Sequence, residues 1–324
     1  MNFAIVGSTG LVGRKMLELL EKESFVNPEN LTLFASSKSA GQFLLFKNKQ
    51  IQVQELCENN IKKYDYVLFS AGGSISKKYA KYFTQKGAYV IDNSSAFRRK
   101  KRVPLIVPEI NFDSLNNSKI IANPNCSTIG ASLPIFAISK KYEINRIVIS
   151  TYQAVSGAGQ KGIIDLENNT CNKFNYNINN NLIPHIDYFL KNNYTYEENK
   201  MEFELKKILN NKELKITTTC VRVPIKNCHS EALNIEFNKK PNLNIIKKLL
   251  QNTPGIILYD NPQNNEYPMP IIADGKNEVF VGRLRYDTSN KYAINMFICF
   301  DNILKGAALN AVQILKKLLE LKNK

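Results

Sequence analysis

The opening of the chain restricts its fold more than any other segment. It reads NFAIV, GSTGLVG and RKMLELLEKE in succession. The first run is short, apolar and β-forming, whereas Leu11, Met16, Leu17, Leu19 and Leu20 recur at roughly helical spacing. Between them Gly7, Gly10 and Gly13 form GxxGxxG. A strand entering a helix through such a turn predicts the first unit of a βαβ fold. Glycine permits the sharp turn and lets a pyrophosphate reach the helix N-terminus, where unpaired N–H groups and the helix dipole favour negative charge. Glycine triplets also serve tight helix packing, and it is the place of this one at the start of an alternating pattern that favours dinucleotide binding.

Further β runs follow at Leu31 to Ala35, Tyr66 to Phe69, Tyr89 to Ile91 and Ile120 to Ala122, with a helical segment near Ser76 to Gln85. Strands alternating with helices imply a parallel, doubly wound sheet. Beyond Asn125 the pattern changes. Long β-rich runs at Ile144 to Val155, Ile216 to Val223, Glu231 to Phe237, Val279 to Leu284 and Ala293 to Phe300 have fewer helices between them, which predicts an α+β domain on a mixed or antiparallel sheet. The Asn-rich stretch from Asn168 to Asn181 reads as an exposed loop. From Asn302 to Leu321, apolar residues at Ile303, Ala307, Ala311, Ile314, Leu315 and Leu318 predict one long amphipathic helix.

At 324 residues and 44% hydrophobic content the chain can bury a core of about two domains. No stretch approaches the roughly 20 apolar residues of a membrane span, and the first residues lack the basic start and cleavage site of a signal peptide, so a cytoplasmic location is expected. Cys57, Cys126, Cys171, Cys220, Cys228 and Cys299 are scattered without CxxC spacing. Reduced thiols are expected, and no metal site. The net charge of +16 raises the question of nucleic acid. The lysines are dispersed, however, and RRKKR at Arg98 to Arg102 is the one dense cluster, so a positive site for small anions is the better expectation.

Cys126 lies in IIANPNCSTIGASLPIFAI, after an apolar strand and at the start of a helical run. A helix N-terminus stabilises a thiolate and makes such a cysteine a candidate nucleophile. Two histidines, His185 and His229, are available as imidazole acid–base groups. His229 is the better candidate, because Arg222 precedes it on a β segment and Glu231 follows it.

In order along the chain, GSTGLVG, FASSKSAG, VIDNSSAFR, ANPNCSTI, TYQAVSGAG, CVRVP with HSE, FVGRLR and DNILKGAA resemble segments of aspartate-semialdehyde dehydrogenases, in the shorter form common in many bacteria. The resemblance implies an α/β protein with a Rossmann-type doubly wound sheet over residues 1–125, a second α+β catalytic and dimerisation domain over 126–301, and a C-terminal helix over 302–324 that returns to the first domain. It implies NADP as cofactor, aspartyl phosphate, aspartate semialdehyde and phosphate as substrates, no nucleic-acid or membrane partner, and a homodimer or homotetramer.

By the same resemblance Cys126 is the nucleophile, Asn125 positions or polarises the carbonyl, Gln153 orients substrate and His229 is the general acid and base. Arg222 clamps the substrate carboxylate, Glu204 and Lys207 form a substrate-binding pair, with Lys206 and Lys200 as alternatives to Lys207, and Arg98 joins Lys207 on the phosphate. For the cofactor it points to Gly7, Ser8, Thr9, Gly10, Leu11, Val12 and Gly13 in the first turn. Ser36, Ser37, Lys38 and Ser39 surround the adenosine phosphate, with Ser156, Gly157 and Asn302 near the nicotinamide. No acid occurs between Glu29 and Glu55, where an NAD-preferring enzyme places the residue that holds both ribose hydroxyls. An N-acyl-glutamyl-phosphate reductase shares this plan but has an NPGC context in place of NPNCST.

Overall fold

The computed structural model describes residues 1–322; the last two residues of the expected terminal segment, 323–324, lie outside the described residues. The chain divides into two compact units, Met1–Pro124 with Ala307–Lys324, and Asn125–Gly306.

In the first unit the elements run β1 (Phe3–Val6), α1 (Leu11–Glu21), β2 (Leu31–Ala35), β3 (Phe43–Phe46), β4 (Lys49–Glu55), β5 (Tyr66–Phe69), α2 (Gly73–Gln85), β6 (Tyr89–Asp92), α3 (Pro108–Asn111) and β7 (Ile120–Ala122). The sheet order is β3-β4-β2-β1-β5-β6-β7. Pairing is parallel except between β3 and β4. This β3–β4 hairpin is absent from the sequence reading, because Phe43 and Leu45 face outward while Leu44 and Phe46 are buried, an alternation short enough to be lost among the lysines and glutamines around it. Strand order reverses at β1, and the crevice at the carboxyl ends of β1 and β5 is where an open α/β sheet receives its ligand.

The glycine turn lies at that point. Gly7 has φ +85°, and a Cβ there would stand 2.4 Å from the Ser70 carbonyl oxygen. A Cβ on Gly13 would stand 2.1 Å from the Gly7 oxygen. Both positions therefore require glycine for backbone packing alone. A Cβ on Gly10 would meet only the Gly7 oxygen, at 3.5 Å, so nothing in the protein demands its bareness. Gly10 also caps α1 without a side-chain hydrogen bond.

The second unit contains α4 (Cys126–Ser139), β8 (Ile144–Gln153), α5 (Gln160–Asn168), α6 (Tyr196–Ile208), β9 (Lys215–Arg222), β10 (His229–Phe237), α7 (Leu243–Gln251), β11 (Ile256–Leu258), α8 (Pro270–Ala273), β12 (Val279–Tyr286) and β13 (Ala293–Phe300). Its sheet, β11-β12-β13-β10-β8-β9, is mixed: β11–β12 and β8–β9 pair in parallel and the rest antiparallel. Helices α5 to α8 between the strands exceed what the sequence pattern showed.

The terminal segment is not one uniform helix. A π-helical turn at Leu304–Ala308 precedes α9 (Leu309–Lys322). Ala311, Ile314, Leu315, Leu318 and Leu319 of α9 join the first unit's core with Met16, Leu17 and Leu20 of α1. Each of these Leu, Ile and Met side chains stabilises the fold by about 1.5–3 kcal/mol over its exposed state. Buried Asn310 anchors α9 by donating to the Ile106 carbonyl at 3.0 Å and to Asn123 at 2.6 Å. Among the described residues no helix is long and apolar enough to cross a membrane.

The Asn-rich segment is an irregular loop, largely exposed, as its composition predicts. It is nonetheless ordered by one carboxylate: Asp165 accepts hydrogen bonds from the Thr170 hydroxyl at 2.7 Å and from the backbone N–H groups of Asn172, Lys173 and Phe174 at 2.8, 2.6 and 3.2 Å. Burial works against this charge, but the four donors outweigh it and bring the Asp165 pKa down to about 2. A lowered carboxylate pKa contributes stability above the ordinary value, and that contribution fades as pH falls toward about 2. Asp165→Asn, whose amide turns a donor toward the N–H groups, is expected to raise hydrogen exchange at residues 172–174 at neutral pH. Unchanged exchange in the variant counts against this anchor.

Candidate active site

The sequence places Asn125 before the helical run, and the structure shows why that matters. Its side-chain oxygen accepts from the N–H groups of Ser127 and Thr128 at 2.9 and 3.3 Å, so Asn125 is the N-cap and Cys126 the first residue of α4. The helix packs closely beyond this point. A Cβ on Gly130 would fall 2.0 Å from the Phe300 ring, and one on Gly306 would fall 2.9 Å from the Cys126 Cβ. Cys126 is partly exposed, at the end of a helix whose body is buried.

Three strand ends bring partners to this sulfur. From the start of β10, His229 points Nε2 at Cys126 Sγ, 3.3 Å away. From the end of β9, Arg222 donates through Nη1 to the Ala154 carbonyl at 2.5 Å. Just past the end of β8, the Ala154 N–H donates to His229 Nδ1 at 3.1 Å. Gln153, the last residue of β8, donates to Thr151 Oγ1 at 3.3 Å and to Glu197 Oε1 at 3.2 Å. Gly157 keeps this space clear, since a Cβ there would stand 3.0 Å from Arg222 Nη1 and 3.1 Å from the His229 ring. The Ser156 hydroxyl and the Asn302 amide pair at 3.1 Å, and Asn302 accepts from the Cys228 N–H at 2.9 Å, tying β10's start to the residues after β13.

Helix α6 supplies two carboxylates to the cluster. Glu197 Oε1 accepts from the Asn125 amide at 2.9 Å, and Oε2 pairs with Lys200 at 2.6 Å, while Lys200 also reaches Asp187 at 3.0 Å. Burial raises the Glu197 pKa, yet the Lys200 charge and hydrogen bond, the Asn125 amide and Arg222 together bring it down to about 2. Burial likewise opposes the Lys200 charge, and Glu197 and Asp187 more than compensate, raising its pKa. Two turns further along, Glu204 accepts from the Asn125 backbone N–H at 2.6 Å. Lys207 follows, half-buried, its pKa lowered by burial against the support of Glu204. Glu197 was not among the residues singled out from the sequence, and Lys200 was named there only as an alternative to Lys207, although both pairs share the spacing Glu-x-x-Lys.

The electrostatics are uneven. His229 is fully buried, and burial first, then the Arg222 charge, hold its pKa at about 3 against the opposing pull of Glu197. Burial also depresses the Arg222 pKa, which the charges of Glu197 and Cys126 support. His185 lies apart from this cluster, stacked on Phe189 with ring centroids 4.3 Å apart.

The remaining expected residues belong to the first unit. Ser8 is buried and donates to the Phe34 carbonyl at 3.2 Å, and the turn Ser36–Ser39 after β2 is closed by the Ser39 N–H on the Ser36 carbonyl at 2.9 Å, with Lys38 exposed. Arg98 is buried and donates to the Asn93 carbonyl at 2.9 Å.

Comparison with known proteins gives a consistent picture. The family model described as "Semialdehyde dehydrogenase, NAD binding domain" matches residues 2–118, and "Semialdehyde dehydrogenase, dimerisation domain" matches residues 135–305. An aspartate-semialdehyde dehydrogenase of Aquifex aeolicus is 48% identical, over 98% of this chain and 97% of its own length. The crystal structure of aspartate semialdehyde dehydrogenase II complexed with ASA from Vibrio cholerae is 40% identical, with a TM-score of 0.93 over 98% of both chains. A structure of the aspartate semialdehyde dehydrogenase of Candida albicans with NADP is 26% identical, with a TM-score of 0.78 over 100% of this chain and 99% of that one.

Proposed function

The chain belongs to the aspartate-semialdehyde dehydrogenase family, and from that premise we propose that it interconverts L-aspartyl 4-phosphate and L-aspartate 4-semialdehyde with NADP(H), through a thioester on Cys126. The observation that carries the reading is the Cys126 sulfur, at the mouth of α4 and 3.3 Å from His229, inside a buried cluster with a fixed guanidinium. In this role the protein serves biosynthesis of lysine, methionine, threonine and diaminopimelate as a cytoplasmic homo-oligomer.

The helix N-terminus and Arg222 favour the Cys126 thiolate, which attacks the acyl carbon and displaces phosphate to leave a thioester. Splitting the reaction there replaces one hard reduction with two easier steps. Arg222 is held by the Ala154 carbonyl at one nitrogen and offers its remaining edge to the substrate carboxylate. Gln153 and Glu197 position the substrate's polar groups, and Glu204 fixes the Asn125 backbone from which the nucleophile's helix starts. When bound, NADPH supplies the hydride that converts thioester to aldehyde.

The first unit fits a dinucleotide. The uncapped start of α1 and the bare face of Gly10 form a cradle that a side chain would fill. Ser36, Ser37, Lys38 and Ser39 would hold the 2′-phosphate. Lys38→Glu is expected to raise the Kd of NADPH about tenfold and leave that of NADH near its parent value, since reversing one exposed charge beside a phosphate costs on the order of 1–2 kcal/mol. Fluorescence titration with both cofactors checks it; equal effects on the two remove Lys38 from the phosphate site.

Arg222→Lys is expected to raise the KM for the semialdehyde by about tenfold or more, because an ammonium cannot reproduce the planar two-point contact of a guanidinium. An unchanged KM removes Arg222 from substrate binding. The function itself is tested by supplying purified protein with aspartyl phosphate and following NADPH absorbance. Turnover of an N-acyl-glutamyl phosphate in its place defeats the substrate assignment, and turnover of neither defeats the reading.

A further inference from the structure

Asn310 is a fully buried amide on α9, in a stretch whose other buried residues include Ala311, Ile314 and Leu315. A buried amide costs free energy unless its hydrogen bonds are made. Asn310 donates from Nδ2 to the Ile106 carbonyl at 3.0 Å and to Asn123 Oδ1 at 2.6 Å. Asn123, also fully buried, donates in turn from Nδ2 to the Ala307 carbonyl at 3.2 Å and to Asn93 Oδ1 at 2.6 Å. Backbone carbonyls only accept, so Ile106 and Ala307 fix which end of each amide is the nitrogen. The relay therefore has one polarity, from Asn310 through Asn123 to Asn93.

The relay ends at the carboxyl edge of the first unit's sheet. Asn93 follows the last residue of β6 and Asn123 the last residue of β7, and these two strands are neighbours. Asn93 also opens the loop that leads to Arg98. Arg98 closes this loop on itself, since its Nη2 donates back to the Asn93 carbonyl at 2.9 Å. The residue whose side chain the relay grips is thus the one whose carbonyl holds the guanidinium. Asp92 secures the base of the loop separately, accepting from the Ser76 hydroxyl at 2.6 Å and the Ser94 hydroxyl at 2.7 Å. Loss of the relay would loosen the loop and leave its base in place.

We infer that Asn310, Asn123 and Asn93 are positioning residues for phosphate recognition, and that α9 acts on the reaction through Arg98. This rests on the proposed reaction and on Arg98 as its phosphate ligand. A guanidinium grips phosphate with two N–H groups in one plane, so a small rotation costs the second contact. The Asn93 carbonyl takes one N–H of Arg98 and thereby sets that plane. Asn93 in turn is held by an amide more than 200 positions further along the chain, through one intermediate.

Binding of inorganic phosphate to the purified full chain, measured by calorimetry, tests this without turnover. Arg98→Ala is expected to raise the phosphate Kd about tenfold or more, the cost of losing a hydrogen bond to a charged group. Asn310→Ala and Asn93→Ala should each raise it about three- to tenfold, the net cost of one neutral hydrogen bond. The Kd of NADPH on the same preparations should stay within about twofold of the parent, because a role confined to phosphate leaves the cofactor alone. A double-mutant cycle separates positioning from general support of the fold. Added to Arg98→Ala, either substitution should change the phosphate Kd by less than about twofold, whereas independent sites multiply their effects. Asn93 is only partly buried, so Asn93→Ala keeps the test open should Asn310→Ala fail to fold. Multiplicative effects in the cycle, an unchanged phosphate Kd in Asn93→Ala, or equal losses for phosphate and NADPH overturn the inference. An unchanged phosphate Kd in Arg98→Ala overturns it together with the phosphate role of Arg98, while turnover of aspartyl phosphate by the parent still tests the proposed reaction by itself.

Discussion

Cys126→Ala is expected to reduce turnover to background, a loss on the order of 10⁶ if removal of this nucleophile behaves as in other covalent enzymes, with the fold and NADPH binding retained. The structure makes this a clean substitution. Alanine keeps the Cβ, which is the atom that lies against Gly306, and removes only the sulfur at the open end of the helix. Asn125 caps α4 through its own side chain and is untouched. Stability should therefore change by less than about 1 kcal/mol. Assays of turnover, thermal unfolding and NADPH titration on one preparation separate the cases. Activity near the parent level means that another cysteine is the nucleophile; Cys228 and Cys299 are buried beside β10 and β13, and the burial of Cys220 pushes its thiol pKa up, so none is well placed to replace it.

His229→Asn is expected to lower kcat by about 10² to 10⁴, the usual range for loss of a general acid and base group, with KM within a few-fold of the parent. The shorter amide cannot span the 3.3 Å contact to Cys126 while keeping the 3.1 Å contact to Ala154. A change confined to KM reassigns His229 to binding. The pH dependence carries a further sign. A histidine pKa of about 3 lies below the ordinary range, so the rate should show no limb from this ring between pH 5.5 and 9. A limb in that range that vanishes in His229→Asn contradicts this depression of the His229 pKa.

Much of the first unit is legible from local pattern. Leu31–Ala35, Tyr66–Phe69 and Ile120–Ala122 are strands with the bounds their apolar runs indicate, because fully buried parallel strands must be continuously apolar. The candidate nucleophile Cys126 is legible for a local reason as well: an Asn followed by a helical run marks an N-cap, and the residue after it begins the helix. Hairpin β3–β4 was not visible because its alternation over Phe43–Phe46 is short and set among lysines and glutamines, and the π-helical turn before α9 because apolar periodicity does not separate it from the helix that follows.

What the amino-acid sequence determined by itself is therefore the kind of chemistry: a glycine turn built for a dinucleotide, a thiol at a helix start, and a small set of cationic and imidazole groups. Only the tertiary structure decided which groups meet. On α6 the spacing Glu-x-x-Lys occurs at Glu197 and Lys200 and again at Glu204 and Lys207. A helix of 3.6 residues per turn presents nearly the same face every seven residues, so both pairs occupy one stripe. The sequence shows that stripe but not where along it the ends of α4 and β8 arrive. In the fold, Asn125 and Gln153 side chains reach Glu197, whereas Glu204 receives a backbone N–H. Ala154 was invisible for a different reason: its contribution is an N–H to His229 and a carbonyl to Arg222, and every residue but proline carries both groups.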